Sequence, residues 1–165
     1  QKFGFAFMDE MIEQTKPQSV GVYTSIGTYS HHEMVEMVIY ISEQKNIPVP
    51  DLLRVFGHFL FKRFHAQFPQ FFNEADSMLD FLKKIDSIIH VEVEKLYEGA
   101  KTPKILTKTG KGDDIVVTYK SPRKMGEFAF GMLEATAEHF NENVTISKEL
   151  IKEDGSEMKF ILKQN

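Results

Sequence analysis

Hydrophobic side chains recur at intervals of three and four over most of the first 97 residues, and this spacing predicts helices. The predicted helices cover residues 3–15, a segment that begins after Ser30, residues 51–67 and residues 74–97. Ser30 and Glu33 have the spacing of a capping box, so we expect a helix to begin there. The helix over 51–67 has a wide apolar arc, and we expect it to be buried on more than one side.

The hydrophobic period changes after Gly99. Residues 104–108 and 115–120 are short runs joined by the turn sequence GKGDD, and residues 143–151 and 157–163 alternate around Asp154-Gly155. Both patterns predict β-hairpins. Residues 125–140 return to helical spacing. We therefore predict an α+β chain in which helices come first and an antiparallel sheet with one helix against it follows.

Residues 19–29 are rich in Gly, Ser and Thr and predict a structured loop or a short extended piece. The chain begins with Gln1 rather than Met and has nothing that resembles a signal peptide, so we expect a cytoplasmic protein. No apolar run approaches the roughly 18 residues that a membrane helix needs. We therefore expect no membrane partner.

Composition narrows the possible chemistry. The 165 residues include no cysteine, which excludes disulfides, Cys-ligated zinc, iron–sulfur clusters and thiol catalysis. The net charge of −4 provides no basic field for nucleic acid, so no nucleic-acid partner is expected. The chain contains 15 Phe against 5 Tyr and no Trp, which indicates a large aromatic volume with few polar atoms.

His90 is the histidine that stands out. It lies inside the predicted helix over 74–97, after two isoleucines, with Asp86 and Glu94 one helical turn away on its two sides. Taken alone, a helical histidine of this kind is more often a packed or surface residue than a metal ligand. No HExxH motif and no histidine or carboxylate set has the spacing of a zinc site.

A second feature follows the predicted strand over 115–120. On an extended chain Tyr119, Ser121 and Arg123 point the same way, so a phenol, a hydroxyl and a guanidinium converge on one spot. All three donate hydrogen bonds, and the guanidinium fits a carboxylate. The alternative is a strand that simply runs into a helix, with Pro122 in the first helical turn. Combined with His90 and the phenylalanines, the triplet describes a haem pocket.

The residues that carry these features resemble a known family. The stretch IIHVEVEKLYEGAKTPKI is similar to the proximal-histidine region of H-NOX domains, the haem nitric oxide/oxygen-binding domains related to the sensor domain of the soluble guanylate cyclase β subunit. TYKSPRKM resembles the YxSxR motif of that family, and SVGVYTSIGTY and LLRVFGHFLFKRFHAQFPQFF resemble bacterial members. The resemblance covers nearly the whole chain, and it implies the H-NOX fold with haem between a helical subdomain and the sheet.

By position, the resemblance implies a role for each site residue. His90 matches the iron ligand, Tyr119, Ser121 and Arg123 match the grip on the haem propionates, and Pro103 matches a proline that bends the porphyrin. The positions of the distal pocket, on the face of the haem opposite the iron-ligating histidine, are Leu60, Phe64, Phe128 and Met132. Phe128 falls where members that bind O₂ carry a tyrosine.

The resemblance also implies the extent of the domain. We expect residues 1–165 to form one H-NOX domain, with a helical subdomain over about 1–66 and the proximal helix plus sheet over about 67–165. Phe3-Gly4 aligns with a Phe-Gly that usually follows the first helix of the family, so that helix is expected to be missing from the sequence.

The implied function is a haem-based nitric oxide sensor and not an enzyme. Ferrous haem b (Fe-protoporphyrin IX) is expected to bind NO and CO without forming a stable O₂ complex. NO is expected to weaken the bond between His90 and the iron, and the protein is expected to regulate a histidine kinase or a diguanylate cyclase in trans. Two alternatives remain open at this point: a haem enzyme of the peroxidase type, and an α+β interaction domain without a cofactor.

Overall fold

The computed structural model describes residues 3–24, 27–97 and 99–165. The chain divides into two compact units, Gln1–Leu52 and Leu53–Asn165. Seven helices and four strands occur in the described part, and their order, helices first and sheet afterwards, confirms the predicted α+β class. None of the described helices has both the length and the hydropathy that crossing a membrane requires.

In the first unit, helix α1 (Phe5–Thr15) contacts helix α2 (His31–Lys45). Phe7 and Met11 are the buried residues of α1, and the Tyr40 hydroxyl of α2 donates to Glu10 Oε1 over 2.9 Å. The loop predicted over 19–29 contains neither helix nor strand at 19–24 and 27–29, and residues 25 and 26 lie outside the described residues.

The capping box predicted for α2 is only half correct. Ser30 is the N-cap, and its hydroxyl accepts from the His32 amide over 3.3 Å. Glu33 is buried and bonds elsewhere: its carboxylate accepts from the amide and hydroxyl of Ser19 and from the Tyr23 hydroxyl. The Ser19 hydroxyl leads the contacts that hold the pKa of Glu33 below its ordinary value. The loop before α2 therefore takes the carboxylate that the helix start was expected to use.

Helix α3 (Val49–Gln67) begins one residue before Pro50, which is tolerated in the first helical turn. Its buried residues are Gly57 and Phe61, whereas Val55 and Phe59 are 57% and 58% exposed. The prediction that this helix is buried on more than one side is therefore wrong, because only part of its wide apolar arc is covered. A short helix, α4 (Gln70–Asn73), follows Pro69.

The long helix predicted over 74–97 is shorter and less regular than expected. It consists of α5 (Met78–Lys84), a π-helical segment (Ile85–Ile89) and α6 (His90–Leu96). Ser77 is extended, and its hydroxyl accepts from the Asp80 amide over 3.2 Å, so this residue caps the helix and sets its start.

The predicted hairpins are confirmed as β1 (Lys104–Thr109) with β2 (Ile115–Lys120), and β3 (Val144–Leu150) with β4 (Glu157–Gln164). The four strands form one antiparallel sheet in the order β1-β2-β4-β3. Helix α7 (Gly126–His139) connects the two hairpins. The inner face of the sheet supplies much of the core of the second unit, through Ile115, Val117, Tyr119, Met158, Phe160 and Leu162.

Candidate functional site

A cavity of about 430 Å³ lies within the second unit. Its wall is formed by α3, the helical segment over 78–96, the β1–β2 hairpin and α7. All nine site residues that the sequence predicted line it: Leu60, Phe64, His90, Pro103, Tyr119, Ser121, Arg123, Phe128 and Met132. Six of the 15 phenylalanines contribute to the wall, namely Phe61, Phe64, Phe68, Phe81, Phe128 and Phe160.

His90 is the first residue of α6, and its side chain is 17% exposed. Its Nδ1 lies 3.1 Å from Asp86 Oδ1. Because a carboxylate only accepts hydrogen bonds, Nδ1 carries the proton and Nε2 keeps the lone pair that a metal ion needs. Within the described residues, no group of three or more histidine and carboxylate side chains is arranged to hold a metal ion. The group available to bind a metal ion at this point of the cavity is the single imidazole of His90.

The π segment directly before His90 was not predicted. Here the His90 amide donates to the Ile85 carbonyl oxygen, five residues back, instead of the usual four. Such a widened turn changes the direction of the side chains that follow it relative to a regular α-helix. A hydrophobic period alone does not reveal a single widened turn, so this segment could not be predicted from the spacing of apolar residues.

Tyr119 lies on β2 and is 3% exposed. Its hydroxyl oxygen accepts from the Met125 amide over 3.1 Å, just before α7 begins. A phenol oxygen that accepts in this way still has its own proton to donate. The hydroxyl is therefore fixed in position and retains one donor for a ligand in the cavity.

Ser121 and Arg123 reach the cavity through a turn and not through strand alternation. β2 ends at Lys120, and the Lys124 amide donates to the Ser121 carbonyl oxygen over 3.2 Å, with Pro122 at the second position of the turn. The Ser121 hydroxyl accepts from the Arg123 amide over 3.2 Å. All three side chains of the predicted triplet line the same cavity, but the predicted geometry, alternation along an extended strand, was wrong. Pro122 also lies outside α7, which begins at Gly126.

Arg123 supplies the positive charge of this corner. Its Nη1 donates to the Lys101 carbonyl oxygen over 2.5 Å, which orients the guanidinium and leaves further N–H groups for a ligand. Tyr119, Ser121 and Arg123 together form a region of the cavity wall that carries hydrogen-bond donors. Such a region suits an anion, and in particular carboxylates.

Pro103 lies one residue before β1, on the cavity wall. The residue before it is bonded to the His90 helix: the Thr102 amide and hydroxyl both donate to Glu94 Oε1, over 3.1 Å and 2.5 Å. The same bonds keep the pKa of Glu94 below its ordinary value. Pro103 therefore directly follows a residue that is hydrogen-bonded to α6.

A further part of the wall comes from α3 and α7. These helices cross closely because glycines meet there: a Cβ at Gly57 would collide with the Phe128 carbonyl oxygen, and one at Gly131 would collide with the Arg54 carbonyl oxygen. Leu60, Phe64, Phe128 and Met132 extend the wall from this crossing. Neither glycine was predicted as a site residue, although both interrupt apolar helical patterns.

Two polar side chains on this part of the wall were also missed, Gln67 and Thr136. The Thr136 hydroxyl donates to the Met132 carbonyl oxygen over 2.7 Å, so its proton is already engaged. Gln67 is exposed, at the end of α3. His58, by contrast, is bonded to Glu134 over 3.1 Å, and neither it nor His65 lines the cavity.

His65 instead packs against His139, with 4.6 Å between the ring centroids, and both rings contact Phe72. Burial, and then the nearby His65, lower the pKa of His139. The helix dipole by itself favours a cation at the end of a helix. At His139 the surrounding aromatic rings remove water from the imidazole, which disfavours its charged form.

The cavity fits what a haem requires of a protein. It offers one neutral imidazole nitrogen for an iron, a cluster of donors for carboxylates, and an aromatic apolar wall for a flat ring system. The three requirements are met on different parts of one wall, which few other ligands would need together.

Comparisons with known proteins agree with this geometry. A family model described as Haem-NO-binding matches residues 1–148. No curated protein sequence matches the chain.

Among solved structures, the Fe(II) unliganded H-NOX protein from K. algicida is 36% identical with a TM-score of 0.92, and the match covers 99% of this chain and 89% of that one. An H-NOX protein from S. oneidensis in the Fe(II)NO state is 27% identical with a TM-score of 0.90, covering 99% and 91%. The IWP-051-bound H-NOX from Shewanella woodyi in the Fe(II)CO state is 38% identical with a TM-score of 0.82, covering 99% and 86%.

Proposed function

The chain belongs to the Haem-NO-binding (H-NOX) family, a family of haem-based gas sensors rather than enzymes, and from this membership we propose that it is a nitric oxide sensor that regulates a partner protein in trans. The cofactor we propose is haem b. The ligands are NO and CO, as in the Fe(II)NO and Fe(II)CO states of the Shewanella proteins. We propose further that no stable complex forms with O₂.

The observation that carries the proposal is the single cavity in which His90, the donors of Tyr119, Ser121 and Arg123, and an apolar wall come together. His90 is the one residue proposed to ligate the iron, through Nε2. Tyr119, Ser121 and Arg123 hold the propionates by donating hydrogen bonds, and Arg123 also supplies the opposite charge. Pro103 presses on the ring, since its fixed φ and stiff pyrrolidine yield less than a flexible side chain.

The bound haem supplies a ferrous iron with one position open to a diatomic gas. Selectivity among gases comes from the wall around that position. A ligand that accumulates negative charge is stabilised by a hydrogen-bond donor in a dry site, and O₂ is such a ligand, whereas NO is nearly neutral. Leu60, Phe64, Phe128 and Met132 have no such donor, the Thr136 hydroxyl is engaged by the backbone, and the Gln67 amide belongs to an exposed residue at the end of α3. This wall therefore favours NO over O₂.

Signalling to a partner follows from the placement of His90 on a helix. If His90 holds the iron of a bound haem, loosening of that hold would shift the population between two positions of that helix. Residues Ile88 and Val91, which flank His90 and are 42% and 41% exposed, then present a different surface. The partner we propose is a histidine kinase or a diguanylate cyclase, the classes that the family resemblance implies.

The test is an optical spectrum of the purified protein, reduced and then exposed separately to NO and to air. We expect a Soret band, a prompt spectral change with NO, and no oxy bands in air. His90→Gly should lose haem unless imidazole is supplied, because free imidazole can replace the missing side chain. A His90→Gly protein that keeps its Soret band and Fe–His Raman stretch without imidazole would contradict the assignment.

The same measurements separate the alternatives. The absence of any Soret band after haem is added would favour the interaction domain without a cofactor. Rapid oxidation of a peroxidase substrate would favour the haem enzyme, although that chemistry needs polar groups where Phe64, Phe128 and Met132 lie.

A further inference from the structure

Asp86 makes two contacts with one carboxylate oxygen. Its Oδ1 lies 3.1 Å from His90 Nδ1, and it accepts a second hydrogen bond from the Ile105 amide over 2.9 Å. The first contact is within the helical segment over 78–96, and the second reaches β1. No residue other than Asp86 bonds to both His90 and the sheet among the described hydrogen bonds.

The contact with His90 sets the state of the proposed iron ligand. A carboxylate that accepts from Nδ1 fixes the ring orientation and the tautomer, and it makes Nε2 a stronger donor to a metal ion. The side chains of His90 and Asp86 are 17% and 31% exposed, so the pair is partly shielded from water. Removing the negative charge should therefore weaken the bond between Nε2 and an iron.

The contact with Ile105 connects the same carboxylate to the other half of the site. β1 is an edge strand, and the Ile105 amide bonds to Asp86 instead of to a neighbouring strand. In the β1–β2 register Ile105 is paired with Tyr119, which belongs to the proposed propionate grip. Asp86 is thus connected through Ile105 to the strand pair that carries Tyr119.

Asp86 is also the middle member of a row of contacts. On one side of it, the Thr107 hydroxyl donates to the Leu82 carbonyl oxygen over 3.2 Å. On the other side, Thr102 bonds to Glu94. Residues 82, 86 and 94 thus fasten the helix to residues 102–107, and of these three it is Asp86 that also holds His90.

We propose that Asp86 is a positioning residue of this site: it strengthens His90 as an iron ligand and couples the position of the imidazole to the β1–β2 hairpin. The proposal rests on the proposed haem function. A displacement of His90 on gas binding is transmitted through this carboxylate to the strand pair that bears Tyr119, so that both ends of the cavity respond together.

The experiment compares Asp86→Asn and Asp86→Ala with the wild type and with Asp80→Asn. Asp80 is a matched control, because its carboxylate lies on the same helical segment but pairs with Lys84 over 2.7 Å and does not line the cavity. Three quantities are measured: the Fe–His Raman stretch of the ferrous protein, the rate of haem transfer to a haem-scavenging protein, and hydrogen exchange at the Ile105 amide in the haem-free chain.

Asp86→Asn keeps an acceptor oxygen but loses the charge, so the Fe–His stretch should fall in frequency while the Ile105 amide stays protected. Asp86→Ala removes the acceptor, so Ile105 should also exchange faster and haem loss should accelerate about tenfold. Asp80→Asn should match the wild type in all three. Asp86→Asn provides the decisive spectrum if the Ala variant folds poorly.

An Fe–His stretch that is the same in the wild type and both Asp86 variants would overturn the proposal, as would unchanged exchange at Ile105 in Asp86→Ala. Failure of the underlying function has a different signature. In that case the wild type takes up no haem, or His90→Gly leaves the Raman line in place, and the inference about Asp86 is overturned with it.

Discussion

The guanidinium of Arg123 is the charged group that a carboxylate-bearing ligand meets in the cavity corner, beside Tyr119 and Ser121. A hydrogen bond to a charged group contributes about 1.5–3 kcal/mol. Arg123→Ala should therefore release haem roughly tenfold to a hundredfold faster. The measurement is haem transfer from the holoprotein to a scavenger in excess.

Lys124→Ala is the matched control for this prediction. Lys124 carries the same charge on the neighbouring residue, but it pairs with Asp154 over 3.4 Å and does not line the cavity. Its haem loss rate should equal that of the wild type. Equal rates for the Arg123 and Lys124 variants would show that Arg123 does not hold the propionates.

His139 gives a prediction at the same scale, on stability. Because its pKa is lowered from the ordinary 6.5, the unfolded chain takes up protons that the folded chain resists. The contribution of neutral His139 to the free energy of unfolding is therefore fully present above pH 6.5. This contribution should be lost as the pH falls through the lowered pKa. His139→Phe should flatten this decline, since Phe fits among the same aromatic rings.

Urea denaturation at a series of pH values between 7.5 and about 5 measures the effect. His32→Phe is the control, because His32 is exposed at the start of α2 and should leave the slope as it is in the wild type. A His139→Phe protein with the wild-type slope would mean that other groups cause the acid sensitivity.

At the scale of elements, the α3–α7 crossing determines one part of the cavity wall. Helix propensity alone predicts that Gly131→Ala stabilises the protein by up to about 1 kcal/mol. The Cβ would, however, collide with the Arg54 carbonyl oxygen, which belongs to a backbone that cannot move aside as a side chain does. Overpacking typically costs about 1–3 kcal/mol, so we expect net destabilisation.

Thermal and urea unfolding of Gly131→Ala measure whether the free energy of unfolding rises or falls. Gly131→Val shows whether the change grows with the size of the side chain. Since Phe128 and Met132 flank this glycine, the NO association rate should change together with stability. A Gly131→Ala protein that is more stable than the wild type would mean that the helices separate at little cost.

Gas selectivity is a property of the whole cavity. We expect the reduced wild-type protein to give no oxy spectrum in air and a prompt NO spectrum, because Leu60, Phe64, Phe128 and Met132 offer O₂ no hydrogen-bond donor. Phe128→Tyr alone need not create O₂ binding, since a hydroxyl must also be oriented. Stopped-flow mixing with air-saturated buffer measures the outcome.

Gln67 supplies the internal check on this prediction. It is the cavity-lining amide at the end of α3, and Gln67→Leu removes its donor at nearly constant volume. Under our prediction the variant behaves like the wild type toward both gases. A stable oxy spectrum in the wild type would refute selectivity for NO, and its loss in Gln67→Leu would identify the amide as the donor.

The sequence by itself determined the class of fold and the composition of the site. The two hairpins, α7 and the N-cap at Ser30 follow from local periodicity and turn chemistry, which involve residues close together in the chain. His90 and the triplet Tyr119, Ser121 and Arg123 stood out because polar groups interrupt apolar or extended patterns. The structure places all four around one cavity.

Only the tertiary structure decided which groups meet. Glu33 accepts hydrogen bonds from Ser19 and Tyr23 instead of capping its helix. Arg123 lines the cavity because a turn follows β2. Asp86 contacts both His90 and the Ile105 amide. Each of these contacts joins groups whose partners are chosen by packing and by the need to satisfy buried or edge hydrogen-bonding groups. The sequence shows which hydrogen-bond donors and acceptors are available. Only packing of the folded chain brings a particular donor and acceptor to within about 3 Å of each other.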